Sequence, residues 1–168
     1  MRRLREAYAP HEHRPLGGYL AALGVYAGVT TGLATVIRAS GRAVPERVAA
    51  SDVVLLSIAT HKLSRVMTKD AITSPLRAPF TEYEKPIGRG EVMEQVRAQG
   101  SPARHALGEL LSCPFCFAVW VATALTGGLV LAPRLTRLVA STFTAVAVSD
   151  FLQLAYAAAH RLASPRES

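Results

Sequence analysis

The sharpest chemical motif in this sequence is a cysteine pair, Cys113-Pro114-Phe115-Cys116. It stands where a polar segment enters a long apolar run, and Ser112 precedes it as a candidate helix N-cap. Cysteines at i and i+3 in a first helical turn face the same way, and the positive end of the helix dipole stabilises a thiolate there. Cys113 and Cys116 are therefore redox candidates, although the sequence contains no second CxxC motif and no βαβ pattern.

A soft metal ion such as zinc is the second chemistry that these thiols suit. Zinc in proteins takes about four ligands, so two more must come from elsewhere. His61 and His105 are the nearest candidates, because both are expected at the same membrane boundary as Cys113 and Cys116. A purely structural role for the cysteines is the third interpretation, and the residues leave all three open.

Cationic side chains gather at His61, Lys62 and Arg65, and the segment 73–80 adds hydroxyl groups and Arg77. Such a cluster is typical of a site for lipid phosphate or another anion. The alternative is an interfacial belt, in which long cationic side chains reach from helix ends back to water.

Asp150 lies inside an apolar run, where a carboxylate costs about 2.5–3.5 kcal/mol on insertion scales. We therefore expect it to face other helices, either bonding a threonine such as Thr30, Thr123 or Thr126 or binding a proton or polar ligand. Asp52 lies nearer a helix end, where we expect it to be solvated.

Apolar helices position these residues. The segments 16–37 and 110–132 carry no charge, and each is long enough to cross a hydrocarbon core of about 30 Å. We predict an all-α, polytopic transmembrane bundle, with a polar lead over 1–15, one helical domain over 16–160 and a tail over 161–168. Its four spans are expected at about 16–37, 45–65, 110–132 and 138–160, with a loop at about 68–105 between the second and third.

Local signals refine these boundaries. Pro45 and Glu46 suit the first turn of the second helix. The loop is expected to hold one short helix around 91–98. Pro133 ends the third span, and a tight turn over 134–137 leads into the last.

Charge gives the orientation. The sequence has 19 Lys and Arg against 12 Asp and Glu, and the basic residues flank apolar runs instead of gathering on one face, which excludes a nucleic-acid binder. With four spans, 14 basic residues fall on one side and 5 on the other. The positive-inside rule then places both termini and the central loop in the cytoplasm of a bacterial cell, with the spans in its inner membrane.

Three glycines, Gly24, Gly28 and Gly32, recur every four residues in the first span. A face without side chains lets another helix approach closely, so we interpret it as a contact with a second copy or another membrane protein.

Three segments together resemble the bacterial membrane family catalogued as Domain of Unknown Function 1360. They are 61–65 (HKLSR), 73–81 (TSPLRAPFT) and 108–116 (GELLSCPFC), followed by Trp120. The resemblance covers about 48–159 and implies that the three segments belong to one module, although it supplies no reaction, ligand or catalytic residue. Some members from spore-forming bacteria are labelled as sporulation proteins.

The leading hypothesis is a structural or accessory membrane protein with no favoured enzymatic activity. Its site at the cytoplasmic face would combine His61, Arg65, Arg77, Cys113 and Cys116. The first alternative is a membrane thiol oxidoreductase in which Cys113 attacks and Cys116 resolves. The second is a metal or small-solute carrier that uses the cysteines and Asp150.

Overall fold

The computed structural model describes residues 8–9, 15–97 and 100–163, so the predicted lead 1–15 and tail 161–168 lie largely outside the described residues. The fold is mostly helical. The helices are α1 (Leu16–Ala39), α2 (Ala50–Thr68), α3 (Ser74–Arg77), α4 (Pro102–Ser112), α5 (Pro114–Leu131) and α6 (Pro133–Ala163), with a 3-10 turn (Ala71–Thr73) before α3. The strands are β1 (Thr81–Pro86) and β2 (Val92–Val96).

Three helices, α1, α5 and α6, are long and apolar enough to cross a membrane. This confirms a mostly helical protein with helices that could span a membrane. The predicted count of four is not confirmed, because α2 has 19 residues but carries Asp52, Lys62 and Arg65 and is not among the three.

The core lies where α2 packs against α5 and α6. Ala59 of α2 is fully buried against Leu125 of α5 and Ala140 of α6. Alanine at two of these three positions lets the helix backbones approach closely, which is how helices associate where lipid removes the hydrophobic driving force.

The contacts also give the direction of each helix. On α2 and α6, Asp52 meets Arg137 and Leu55 meets Thr144 farther along, so these helices run parallel. On α1 and α5, Tyr26 bonds Thr123 at 2.8 Å, and a Cβ on Gly127 would meet Leu33. These two helices are therefore also parallel.

The turn between α5 and α6 is Ala132 alone. Leu125 and Ala140 lie about equally far from this turn and pack against the same residue of α2, so α6 returns antiparallel to α5. The bundle therefore has α1 and α5 running one way and α2 and α6 the other.

The all-α prediction is wrong between the second and third predicted spans, where β1 and β2 form an antiparallel hairpin. The helix predicted around 91–98 is instead strand Val92–Val96 in its described part. The turn at Gly90 has φ +81°, a conformation that glycine adopts without strain. Five residues are too few to separate a strand from a short helix by periodicity, and this segment does not alternate apolar and polar residues.

Three helix starts also differ from the prediction. The second helix begins at Ala50 and not at Pro45. α5 begins at Pro114 after a break at Cys113, whose φ −108° and ψ 106° are the extended values that a following proline favours. Pro133 opens α6 as its first residue, so the turn predicted over 134–137 is helical.

Candidate functional site

The polar segment between α2 and α4 folds onto one end of the bundle, and Arg77 lies at its centre. We call residues 70–96 the polar cap. A Cβ on Gly108 of α4 would meet the carbonyl of Phe80 and the side chain of Val96, so only glycine lets α4 lie this close to the cap.

Arg77 is completely buried, and all three guanidinium nitrogens donate hydrogen bonds. Nε and Nη2 donate to the two carboxylate oxygens of Glu94 at 2.7 and 3.1 Å. Nη1 donates to the Thr73 hydroxyl at 2.6 Å, and Nη2 donates to the Ser74 hydroxyl at 3.1 Å. Carbonyls of Met67 and Asp70 accept two further bonds at 3.0 Å each.

These bonds tie the end of α2, the 3-10 turn and β2 to one side chain. Removing one partner of such a buried ion pair leaves an uncompensated charge and costs about 3–5 kcal/mol. Arg77 therefore holds the cap in one conformation.

Glu94 is the partner that satisfies this charge, and its side chain is 6% exposed. Burial by itself raises the pKa of Glu94. Hydrogen bonds from Arg77, Ser74 and Thr81 outweigh that effect and hold the pKa of this carboxyl below its ordinary value. Glu94 is thus a carboxylate at neutral pH.

A second ion pair docks the hairpin on α2. Arg65 Nε donates to Glu91 Oε1 at 2.9 Å, and Arg65 Nη2 donates to Oε2 at 2.5 Å. Beside it, the N–H of Val92 donates to the Lys69 carbonyl at 2.9 Å. Arg65 and Arg77 therefore meet two acidic residues of the same hairpin.

His61 and Lys62 face a different element, α6. Lys62 Nζ lies 2.8 Å from Asp150 Oδ2, and the His61 ring stacks on Phe151 at a centroid distance of 6.4 Å. The expected threonine partner of Asp150 is therefore wrong. The ion pair forms because α2 and α6 run parallel.

Asp52 is also placed differently from the prediction of a solvated helix end. Its side chain is 11% exposed and accepts two bonds of 2.8 Å from Arg137 Nε and Nη2. Two carboxylates of the bundle thus each have a cation on the neighbouring helix.

The cysteines lie at the junction between α4 and α5, and both are free thiols. Cys113, and not Ser112, is the N-cap of α5, with Sγ accepting from the N–H of Cys116 at 3.3 Å. His105 pairs with Glu109 at 3.6 Å one helical turn away. Among the described residues, no group of three His, Cys, Asp or Glu side chains could hold a metal ion.

The structure therefore divides the predicted site residues among separate places. Arg77 lies in the cap and Arg65 pairs with the cap from α2. His61, Lys62 and Asp150 belong to the contact between α2 and α6. Cys113 and Cys116 lie at the α4–α5 junction, whereas His105 lies near the start of α4. Sequence reasoning missed Glu91 and Glu94, since their i, i+3 spacing also suits a helix.

The family is shown by a profile described as "Protein of unknown function (DUF1360)", which matches residues 55–156. The chain belongs to the DUF1360 family. The matched region of this DUF1360 protein begins within α2 and includes the cap, the cysteine pair and most of α6. It contains all three motif segments and leaves out α1.

A curated relative supports the assignment of this DUF1360 protein. The chain is 39% identical over 71 residues to "Sporulation protein YjcA" of Bacillus subtilis (strain 168). The aligned part covers 42% of this chain and 60% of the relative. No solved structure matches the chain.

Proposed function

We propose that this DUF1360 protein is a structural or accessory component of the bacterial inner membrane, with the polar cap as a rigid platform for other proteins. One observation carries the proposal: Arg77, the most buried charge of the family motifs, has every guanidinium nitrogen bonded inside the cap. A guanidinium that binds substrate keeps a donor free for it. The relative's description as a sporulation protein names a process and no reaction, which is compatible with an accessory role.

The platform is tested by photo-crosslinking in intact cells. Tyr83 on β1 is 66% exposed, so a photoreactive residue there should give a discrete protein adduct. The matched control carries the same group at Val25 of α1, which is 59% exposed on a membrane helix. No adduct from Tyr83, or the same adduct from both positions, would count against a platform.

We further propose four spans, with both termini and the cap on the cytoplasmic side. The support is the alternating direction of α1, α2, α5 and α6, together with the excess of basic residues on the side of the cap. The ionised side chains of α2 that lie within the bundle are paired with α6, which lowers the cost of placing them at membrane depth.

Labelling of the 38–47 loop tests this topology. In a chain with Cys113 and Cys116 replaced by serine, a single cysteine at Ser40 should react with a membrane-impermeant thiol reagent added outside the inner membrane. A cysteine at Tyr83 is the control and should react only after permeabilisation. Reaction of both positions only after permeabilisation would overturn the four-span topology.

The thiol oxidoreductase remains the second candidate, since two free thiols share the first turn of α5. Acid trapping in cells, followed by labelling with a thiol-reactive mass tag, distinguishes structural, redox and metal-binding roles of the cysteines. The experiment is done with and without prior chelator treatment. A structural role predicts two reduced thiols that chelator leaves unchanged. A partly oxidised pair would favour redox chemistry, and thiols released only by chelator would favour zinc or another soft metal.

We also propose that the Gly24, Gly28 and Gly32 face contacts a second copy of the chain. It lies on the side of α1 away from Tyr26 and Leu33, and a Cβ at any of the three glycines would meet nothing within 4 Å. Gly28→Leu should therefore abolish a crosslinked dimer and leave the thermal stability of the monomer unchanged.

The matched control for this contact is Ala34→Leu, which adds similar bulk to another exposed position of α1. A dimer that survives Gly28→Leu, or that both substitutions remove equally, would refute the contact.

A further inference from the structure

An open groove of about 680 Å³ runs between the turn of the β-hairpin and the C-terminal half of α6. Arg89 lines it from the hairpin side. Ser149, Gln153, Tyr156 and Arg161 line it from α6. The groove lies outside the Arg77 network and outside the α4–α5 junction, so none of the chemistry described above uses it.

The groove is positively charged because its two arginines are not neutralised. Among the described residues, neither Arg89 nor Arg161 has an ion-pair partner. The acidic residues nearest to them in the described part of the chain are engaged elsewhere, since Glu91 pairs with Arg65 and Asp150 pairs with Lys62.

Hydrogen-bonding groups line the space between the arginines. Gln153 Nε2 donates to the Ser149 hydroxyl at 3.4 Å, a long bond that a stronger acceptor can replace. The Tyr156 ring contacts the His160 ring at a centroid distance of 6.3 Å and contributes a phenolic hydroxyl. Arginine, amide and phenol groups together suit a phosphate, whose oxygens accept several hydrogen bonds at once.

The surroundings of the groove indicate where that phosphate comes from. Phe151, Leu152 and Leu154 of the same helix are 62–65% exposed, as expected for side chains in contact with lipid tails. Farther along α6, Tyr156 and Arg161 are residue types that concentrate at the headgroup level of a bilayer. The polar groove thus continues directly from a lipid-facing surface.

We propose that this groove binds the phosphate headgroup of an anionic phospholipid, with Arg89 and Arg161 as its two cationic contacts. The bound lipid would bridge the hairpin and α6, and its tails would lie along the exposed face of α6. This inference requires α6 to lie in the membrane and does not depend on whether the cap is a platform.

The proposal is tested by native mass spectrometry of the full chain. The chain is released from nanodiscs that contain equal amounts of phosphatidylglycerol and phosphatidylcholine. The wild-type chain should retain phosphatidylglycerol in preference to phosphatidylcholine. The double variant Arg89→Gln/Arg161→Gln should lose about 25-fold in that preference, since each arginine near a membrane contributes about fivefold. The matched control, Arg42→Gln/Arg47→Gln, removes two exposed arginines between α1 and α2 and should keep the preference.

Three outcomes would overturn the proposal. The first is retention that the groove variant leaves unchanged. The second is an equal loss in both double variants, which would show a general effect of net charge. The third is displacement of the lipid by millimolar inorganic phosphate, which would make the ligand a soluble anion. Labelling of the 38–47 loop reports the topology separately, so failure of the groove and failure of the four-span arrangement are distinguishable.

Discussion

The polar cap and the bundle both contain ion pairs, but they satisfy those charges differently. In the cap, Arg77 is bonded on every nitrogen and Glu94 accepts bonds from three side chains. In the bundle, Lys62 meets Asp150 through one contact of 2.8 Å, and Asp150 is 47% exposed. Burial in the cap removes the hydrogen bonds that a charge would make to water. Protein partners there must therefore replace nearly all of them. With α6 in the membrane, as we propose, lipid offers Asp150 no alternative partner, so one cation has a large effect.

Removal of Arg77 should produce the largest loss of stability. Arg77→Ala leaves Glu94 buried without its cation, so we expect the free energy of unfolding of the cap to fall by about 3–5 kcal/mol. Thermal unfolding and limited trypsin digestion of the purified chain would measure this. The apolar pair Arg77→Met/Glu94→Leu should recover most of the loss, because neither charge then remains buried.

The matched control for Arg77 is Glu82→Gln, which removes the exposed ion pair with Arg97 and should cost less than about 1 kcal/mol. A loss after Arg77→Ala no larger than this control would contradict the structural role of Arg77.

Removal of Lys62 tests the bundle side of the comparison. Lys62→Met leaves Asp150 without its cation, and we expect destabilisation of about 2.5–3.5 kcal/mol, the insertion cost of a lone carboxylate. Adding Asp150→Asn should restore most of the stability, as measured by thermal unfolding in nanodiscs. If the double variant were no more stable than Lys62→Met, the ion pair would not be the cause. Lys85→Met, at an exposed position of the hairpin, is the control and should change little.

Acid should loosen the cap through Glu94. The folded-state pKa of Glu94 is lower than its unfolded value near 4.5, so folding favours the ionised form. This stabilisation is fully present above about pH 4.5 and is lost as the pH falls through the folded pKa. Trypsin cannot be used at such pH, so pepsin digestion of the hairpin would follow the opening.

Glu94→Gln should remove this component of the acid sensitivity, and Glu46→Gln, an exposed substitution outside the cap, should leave it in place. The same acid profile in both variants would exclude Glu94 as the responsible group.

The smallest effect is expected at the start of α4, where the Ser101 hydroxyl accepts from the N–H of Arg104 at 3.3 Å. Ser101→Ala removes this N-cap and should cost about 1 kcal/mol. Ser40→Ala is the control, because that exposed hydroxyl only donates back to the Ile37 carbonyl. Equal unfolding temperatures for the two variants would show that the Ser101 N-cap of α4 does not contribute to stability.

Much of the bundle could be predicted from sequence, because uninterrupted apolar runs leave helices as the chief way to satisfy the backbone in lipid. That reasoning identified α1, α5 and α6. It misplaced the start of α6, since Pro133 was interpreted as an end although proline is also favoured in a first helical turn. The hairpin was missed because Val92–Val96 does not alternate apolar and polar residues: Glu94 and Gln95 are adjacent, which suits a helix as well as a strand.

The sequence by itself determined that the chain carries helices apolar enough to span a membrane and that it resembles DUF1360. These are properties of local composition and pattern. Only the tertiary structure decided which charges pair: Asp52 and Arg137 are 85 positions apart, and no periodicity within either helix predicts that they meet. Glu94 likewise became the partner of Arg77 only when the hairpin folded over α3. A buried charge is stable where hydrogen-bond partners surround it in space, and the packing of distant segments determines those partners.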